Sequence, residues 1–211
     1  MAKEETKDFL KERAWLSGIC DSQSTEELEN KYDTWANSYD TDVQKDWSFI
    51  PVNIAKTLRQ LLPDKNCSIL DAGAGTGLVG EALAKEGYTN LTAVDLSEQM
   101  LAIAREKQVY QNLSLGNLED SDILENSEKF DAIITAGVFA YAHAGEKVLN
   151  NLFSFLKDEK FFLLTIREDY RQQMQTALDQ LSWQLVREES FPIYDEAKLM
   201  YLLAFKKKSQ S

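Results

Sequence analysis

The feature that most constrains the fold is a glycine-rich stretch, DAGAGTG at residues 71–77, directly after a short apolar run. Residues 68–71 have the pattern of a buried strand, and residues 78–85 carry alanine and leucine at helical spacing and are followed by Gly87. Glycines in a strand-to-helix turn let the backbone bend tightly and let a ligand approach without meeting a β-carbon. The pattern predicts the first strand, turn and helix of an α/β sheet.

The rest of the chain alternates short apolar runs with helical patterns, which predicts a mostly parallel sheet of about seven strands covered by helices. Further strands are predicted at residues 91–94, 113–115, 130–135, 161–166, 183–188 and 199–205, and further helices after Ser97 and at residues 147–156 and 170–181. The helix after the third strand is expected to be short or missing. The last two strands are predicted to be joined by a loop that contains Pro192, with the last strand antiparallel.

Length and charge restrict the class of protein. The 211 residues suit a single domain, with an N-terminal helical cap expected over residues 1–60 and the sheet core over residues 61–211. Because 23 Lys and Arg stand against 35 Asp and Glu, the net charge of −12 repels phosphate backbones and anionic lipid. Neither nucleic acid nor a membrane is an expected partner. The basic run at residues 206–208 is predicted to be a solvated end.

The cysteines and the N-terminal sequence predict a cytoplasmic protein. Cys20 and Cys67 belong to no C-x-x-C pattern and are too few for a disulfide framework, which favours a reducing compartment. The first residues are charged where a signal peptide would have an apolar core. The near-apolar residues 132–142 fall short of the roughly 18 that a membrane span needs. A monomer or weak homodimer is expected.

Asp95 and the glycine stretch together predict an adenosine-containing cofactor. Asp95 ends the second predicted strand about 20 residues beyond Gly75, a spacing that lets a carboxylate accept both hydroxyls of a ribose. Residues 75–80 also satisfy the G-x-G-x-x-G pattern, so a nicotinamide-dependent oxidoreductase is an alternative. Asp71 at the edge of the turn would repel a pyrophosphate but suits the ammonium group of S-adenosylmethionine. A second interpretation is that Asp71 only orders the turn or caps the helix.

A short repeat marks the N-terminal segment, where Tyr32-Asp33-Thr34 recurs seven residues later as Tyr39-Asp40-Thr41. On a helix this spacing aligns a stripe that is either a packing face or a lid over a ligand. The stripe consists of Tyr32, Trp35, Ala36, Tyr39 and Val43. The aromatic residues Trp35, Trp47 and Phe49 either wall an apolar pocket or belong to the core.

These motifs resemble the class I S-adenosylmethionine-dependent methyltransferases and, among them, the Williams-Beuren syndrome region methyltransferase-like group. The likeness rests on residues 69–77, on residues 93–97 with Met100 and Leu101, and on the Tyr-Asp-x-Trp-Ala pattern of residues 32–43, and it covers roughly residues 32–205. It implies a Rossmann-like α/β fold, with a seven-stranded, mostly parallel sheet in the order 3-2-1-4-5-7-6, helices on both faces and an N-terminal helical cap. It also implies S-adenosylmethionine as the cofactor.

The resemblance carries over a set of cofactor-binding residues: Tyr39, Asp71, Gly73, Ala74, Gly75, Gly77, Asp95, Leu96, Met100, Asn117, Leu118 and Ala136. The three glycines would border the methionine moiety, Asp95 would hold the ribose, and Leu96 would pack against the adenine. Asn117 stands where the family often has an acidic residue near the adenine amino group, and its side-chain oxygen would accept in its place. Tyr39 would reach the methionine carboxylate.

The expected reaction is methyl transfer to a small-molecule acceptor by in-line displacement, in which alignment and exclusion of water supply most of the acceleration. Residues 135–138 lack the Asn/Asp-Pro-Pro-aromatic motif of members that modify adenine or glutamine amino groups. The single histidine, His143, is the candidate general base, with Tyr141 as a weaker one, although a solitary loop histidine is often structural. No metal site is expected. A cofactor-binding protein without turnover, or a partner subunit, is the other alternative.

Overall fold

The computed structural model describes residues 24–124, 127–139, 144–193 and 198–209. Seven strands form one sheet: β1 Ile69–Ala72, β2 Leu91–Asp95, β3 Asn112–Leu115, β4 Phe130–Phe139, β5 Leu156–Arg167, β6 Trp183–Ile193 and β7 Lys198–Lys207. The helices of the described residues are α1 Thr25–Trp47, α2 Phe49–Leu61, α3 Leu78–Lys85, α4 Glu98–Glu106, α5 Glu146–Ser154 and α6 Glu168–Gln180.

The strand order is β3-β2-β1-β4-β5-β7-β6, which confirms the predicted order. β1 pairs in parallel with β2 and with β4, whereas β7 runs antiparallel to both β5 and β6. The order reverses direction between β1 and β4, and ligands of such sheets bind beyond the carboxyl ends of the strands at this point. The glycine stretch follows β1 at that edge.

Helices cover both faces of the sheet because successive side chains of a strand point to opposite sides. Ile69 of β1 packs in a buried cluster with residues of α2 and α3, and its neighbour Leu70 packs in a second cluster with residues of α5 and α6. All four residues of β1 are buried. The central strands therefore lie in the core and position the turns at their ends.

α1 packs against α4 at the end of the sheet where the glycine turn lies. Ser24 caps α1 by accepting a hydrogen bond from the backbone N–H of Glu27 at 3.1 Å. Ser97 caps α4 in the same way for Met100, as its sequence position predicts. The repeat-bearing segment is thus one long helix beside the predicted ligand site.

Pro192 lies in a strand rather than in a loop, so the predicted loop position is wrong. Residues 191–193 pair with residues 198–200 of β7. β6 is the last strand of the sheet, and an edge strand tolerates a residue that has no N–H to donate.

The basic run at residues 206–208 is predicted to be a solvated end, and this prediction is wrong for Lys207, whereas Lys208 is exposed. Lys207 is 3% exposed, and its ammonium group donates to the carbonyl oxygens of Phe153 at 3.2 Å and Leu156 at 2.8 Å. Lys206 pairs with Glu159 at 2.6 Å. The run continues β7 between β5 and β6, and a lysine there satisfies carbonyl groups at the end of α5.

Candidate active site

A cavity opens at the C-terminal ends of β1, β2 and β4, and α1 forms one of its walls. Its empty space is about 1070 Å³ including the open mouth. Nine of the predicted cofactor-binding residues line it: Tyr39, Gly73, Gly75, Asp95, Leu96, Met100, Asn117, Leu118 and Ala136. The other three, Asp71, Ala74 and Gly77, lie in or next to the turn and are not part of the lining.

The glycine turn owes its shape to residues without a β-carbon. Gly73, Gly75 and Gly77 all have positive φ angles, of +76°, +55° and +86°. A β-carbon added at Gly73 would lie 2.3 Å from Cγ2 of Val138, so this glycine is needed for packing. A β-carbon at Gly75 would meet nothing within 4 Å, and Gly75 lines the cavity. Its bare backbone therefore leaves room for a ligand.

Asp95 is held in position by the turns on either side of it. Its Oδ2 accepts from the backbone N–H of Gly75 at 2.7 Å, and its Oδ1 accepts from that of Ser97 at 3.0 Å. Burial raises the pKa of Asp95, opposed by these backbone hydrogen bonds. Each carboxylate oxygen keeps a further lone pair, so an oriented Asp95 suits two hydroxyl donors on one ligand.

Asp71 lies beneath the turn, 1% exposed. The hydroxyl of Tyr110 donates to its Oδ2 at 2.5 Å and accepts from the backbone N–H of Gly80 at 3.1 Å. The other oxygen, Oδ1, is buried with no hydrogen-bond partner within the described structure. Burial raises the pKa of Asp71 to about 7, although the hydrogen bond from Tyr110 lowers it. An unpaired buried carboxylate oxygen is suited to a cationic donor.

Asn117 forms a local turn at the end of β3. Its Oδ1 accepts from the backbone N–H of Glu119 at 2.9 Å. The oxygen that the family resemblance assigns to the adenine therefore already accepts one hydrogen bond and keeps one further lone pair. The preceding Gly116 lets this turn pack closely, because a β-carbon there would lie 1.9 Å from Cδ1 of Ile123.

An aromatic wall is formed by α1 and consists of Tyr32, Trp35, Tyr39 and Trp47, all of which line the cavity. Trp35 meets Tyr39 edge-on with ring centroids 4.4 Å apart, whereas Ala36 and Val43 of the same stripe are buried. The stripe is thus both a packing face and a cavity wall. Phe49 packs against Phe191 instead, at 5.1 Å between centroids.

The Tyr39 phenol stays protonated at neutral pH. Burial raises its pKa, and the nearby carboxylates of Asp95, Asp40 and Asp71 raise it further. A protonated phenol donates a hydrogen bond, which suits a carboxylate on a ligand.

Several site residues have no sequence signal that marks them. Tyr110 lies 39 residues after Asp71 in the chain, and no pattern links the two. Val138, Val148 and Glu119 also line the cavity.

His143 and Tyr141 lie outside the described residues. Within the described ranges no group of three or more His, Cys, Asp or Glu side chains could hold a metal ion. No helix of those ranges is long and apolar enough to span a membrane.

Comparison with known proteins identifies the family and matches the fold. Residues 63–207 match the family described as Methyltransferase domain. The chain is 33% identical over 141 residues to malonyl-[acyl-carrier protein] O-methyltransferase of Bacillus cereus, which covers 65% of this chain and 51% of that protein. It is 37% identical over 111 residues to human methyltransferase-like protein 27, which covers 52% of this chain and 45% of that protein.

A solved structure shows the same fold. Magnesium protoporphyrin IX methyltransferase from Synechocystis, determined with bound S-adenosylhomocysteine, superposes with a TM-score of 0.69 at 14% identity, over 87% of this chain and 99% of that chain. The chain spans about half the length of the curated relatives named above. Asp95 lies beside the open backbone of Gly75, which is the pair of residues from which the sequence predicts an adenosine-containing cofactor. The chain belongs to the methyltransferase-domain family, whose cofactor is S-adenosylmethionine.

Proposed function

We propose that the chain transfers a methyl group from S-adenosylmethionine to a small-molecule acceptor bound in the same cavity. When bound, this cofactor supplies a methyl group activated by its sulfonium sulfur for in-line displacement. The observation that carries the proposal is the shared cavity, which Asp95 and Gly75 line together with the aromatic wall of α1. In-line displacement requires that two reactants are aligned and that water is excluded, and an apolar cavity beside the cofactor-binding residues is suited to both.

The residues around the turn are assigned to the methionine and ribose parts of the cofactor. Asp95 accepts the ribose hydroxyls, since Gly75 and Ser97 fix its orientation. The unpaired Oδ1 of Asp71, which lies next to the turn and not in the cavity lining, is assigned to the amino group. Tyr39 donates to the carboxylate. Gly73 borders the methionine chain, while Ala74 and Gly77 maintain the turn around it.

The adenine is assigned to the ends of β2 and β3. Leu96 and Met100 provide apolar surface for the ring, and Leu118 lies beside them in the cavity lining. Asn117 contributes the remaining lone pair of its Oδ1 or its amide N–H groups. Ala136 at the end of β4 lines the cavity and is proposed to lie near the transferred methyl group.

The acceptor is proposed to be small and largely apolar. Trp35, Trp47 and Val138 supply aromatic and aliphatic lining, which favours a ring or an acyl chain. The Bacillus cereus relative is named for a malonyl group carried on a protein, so a carrier-linked acyl group is one acceptor class to test. His143 remains the predicted general base for an acceptor that must lose a proton.

Two measurements test the proposal. Calorimetric titration is expected to show binding of S-adenosylhomocysteine and none of NAD or NADP. Transfer of a labelled methyl group is then measured against phenols, carboxylic acids, amines and malonyl-acyl-carrier protein. Incorporation into at least one acceptor supports the enzyme, whereas binding without transfer to any acceptor class supports a binding protein or partner subunit. Tight binding of a dinucleotide alone would overturn the cofactor assignment.

A further inference from the structure

We propose that Asp33 and Asp40 are positioning residues that latch α1 onto the two loops holding the cofactor, so that cofactor binding and docking of α1 are coupled. The proposal rests on the proposed function, because it takes the cavity as the cofactor site. It gives a role to the repeated Tyr-Asp-Thr sequence of α1. The tyrosines of the repeat line the cavity, and the aspartates contact the loops.

The first contact joins α1 to the loop after β2. Asp33 accepts a hydrogen bond from the hydroxyl of Ser97, and it also accepts from the backbone N–H of Gln99 at 3.3 Å. Ser97 in turn donates its backbone N–H to Asp95 at 3.0 Å. A continuous chain of hydrogen bonds thus connects the helix to the carboxylate assigned to the ribose.

The second contact joins α1 to the glycine turn. Asp40 accepts from the hydroxyl of Thr76, and Lys107 donates to its other oxygen at 2.8 Å. Thr76 is 1% exposed and directly follows Gly75, whose backbone N–H donates to Asp95 at 2.7 Å. The second chain of interactions therefore reaches the same carboxylate from the opposite side.

The seven-residue spacing explains how one helix makes both contacts. Residues seven apart lie on one face of an α-helix, about 10.5 Å apart along its axis at 1.5 Å per residue. Tyr32 and Tyr39, which directly precede Asp33 and Asp40 in the chain, line the cavity. Each Tyr-Asp pair thus places one side chain against the cavity and one on a loop.

Asp95 is the common point of both contacts, which makes the coupling reciprocal. A ligand that fixes Asp95 also fixes the backbone of residues 75–76 and 97, which carry the latch hydroxyls. Two sites that bias the same arrangement raise each other's affinity by the same factor. Hydrogen bonds to a carboxylate are about twice as strong as neutral ones, so the coupling is large enough to measure.

The experiment compares Asp33→Ala, Asp40→Ala and the double variant with the wild-type chain. The dissociation rate of S-adenosylhomocysteine is measured by stopped-flow fluorescence, and amide exchange of residues 25–47 is measured with and without it. Each alanine variant is expected to raise the dissociation rate about tenfold, and the double variant further. Asp33→Asn and Asp40→Asn are expected to fall between, because an amide oxygen still accepts a hydroxyl. Glu26→Gln, which removes an exposed charge from the same helix, is the matched control and should leave the rate unchanged.

Amide exchange separates a latch from a contribution to overall stability. In the wild type, S-adenosylhomocysteine is expected to increase the protection of α1 against amide exchange. In the double variant this increase is lost, while the protection of β1 and β2 stays at the wild-type level. Equal loss of protection in β1 and β2 would overturn the latch in favour of a stabilising role. If the wild type binds S-adenosylhomocysteine and the variants release it at the wild-type rate, the latch is wrong and the cofactor assignment stands. No binding by the wild type would overturn the cofactor assignment and the latch with it.

Discussion

Replacing Asp71 with asparagine is expected to stabilise the fold at alkaline pH and to weaken cofactor binding. Burial raises the pKa of Asp71 from 3.8 to about 7, so the folded protein holds this proton more tightly than the unfolded chain does. The contribution of the protonated carboxyl to stability is complete below about pH 4 and is lost as the pH rises through about 7. Three pKa units at 1.36 kcal/mol each make the loss about 4 kcal/mol.

Asparagine avoids the charge but introduces a new donor. Its oxygen still accepts from Tyr110, whereas its NH₂ group takes the place of the unpaired Oδ1 and costs about 1–3 kcal/mol if it stays unpaired. The net gain at alkaline pH is therefore about 1–3 kcal/mol. Loss of the carboxylate removes the proposed partner of the cofactor ammonium, which is worth about 1.5–3 kcal/mol, or roughly 10- to 100-fold in affinity.

Urea unfolding between about pH 4 and about pH 8 measures the first effect, and titration with S-adenosylhomocysteine measures the second. The difference in unfolding free energy between variant and wild type should grow with pH and level off above about 7. A difference that stays constant over this range would refute the reasoning about burial. Unchanged affinity would leave Asp71 with the role of ordering the turn.

Asp131→Asn is the matched control, because the pKa of Asp131 is shifted in the opposite direction to that of Asp71. Burial opposes ionisation of Asp131, but hydrogen bonds from Ser68, Lys160 and Lys157 outweigh it and hold the pKa below its usual range. This carboxylate stabilises the fold above its unfolded pKa of 3.8 and loses that effect as the pH falls. The variant should therefore be destabilised near neutral pH, and the difference from wild type should shrink on acidification.

Other changes at the site test separate parts of the assignment. Asp95→Ala should weaken S-adenosylhomocysteine binding by about 1–3 kcal/mol in calorimetry, and unchanged affinity would remove the ribose assignment. Gly75→Ala should reduce that binding, because the added β-carbon enters the cavity. It should lower the free energy of unfolding by only about 1–2 kcal/mol, the cost of a positive φ angle without a steric collision. Gly73→Ala should lower the free energy of unfolding further in urea titrations, since its β-carbon collides with Val138, and equal losses for the two glycines would contradict this distinction. Backbone amides before Pro51 should exchange more slowly when S-adenosylhomocysteine is present. Equal exchange with and without this ligand would contradict the interpretation of the N-terminal helix as a lid over the ligand.

The sequence alone contains the local part of the site. The positive φ angles of the turn require glycine, and Asp95 ends a strand at a fixed distance from it, so both appear as short patterns. The strands and helices follow from apolar periodicity, and the strand order came from the family resemblance that these patterns carry.

Only the tertiary structure decides which distant residues meet. The pairing of Tyr110 with Asp71, the burial of Lys207 and the contacts of Asp33 and Asp40 with the loops join segments far apart in the chain. Propensity and periodicity describe a residue and its near neighbours, whereas these contacts depend on the path of the chain around the sheet. The basic run itself does not distinguish the buried Lys207 from the exposed Lys208, because the environment that buries Lys207 is formed when β7 inserts between β5 and β6.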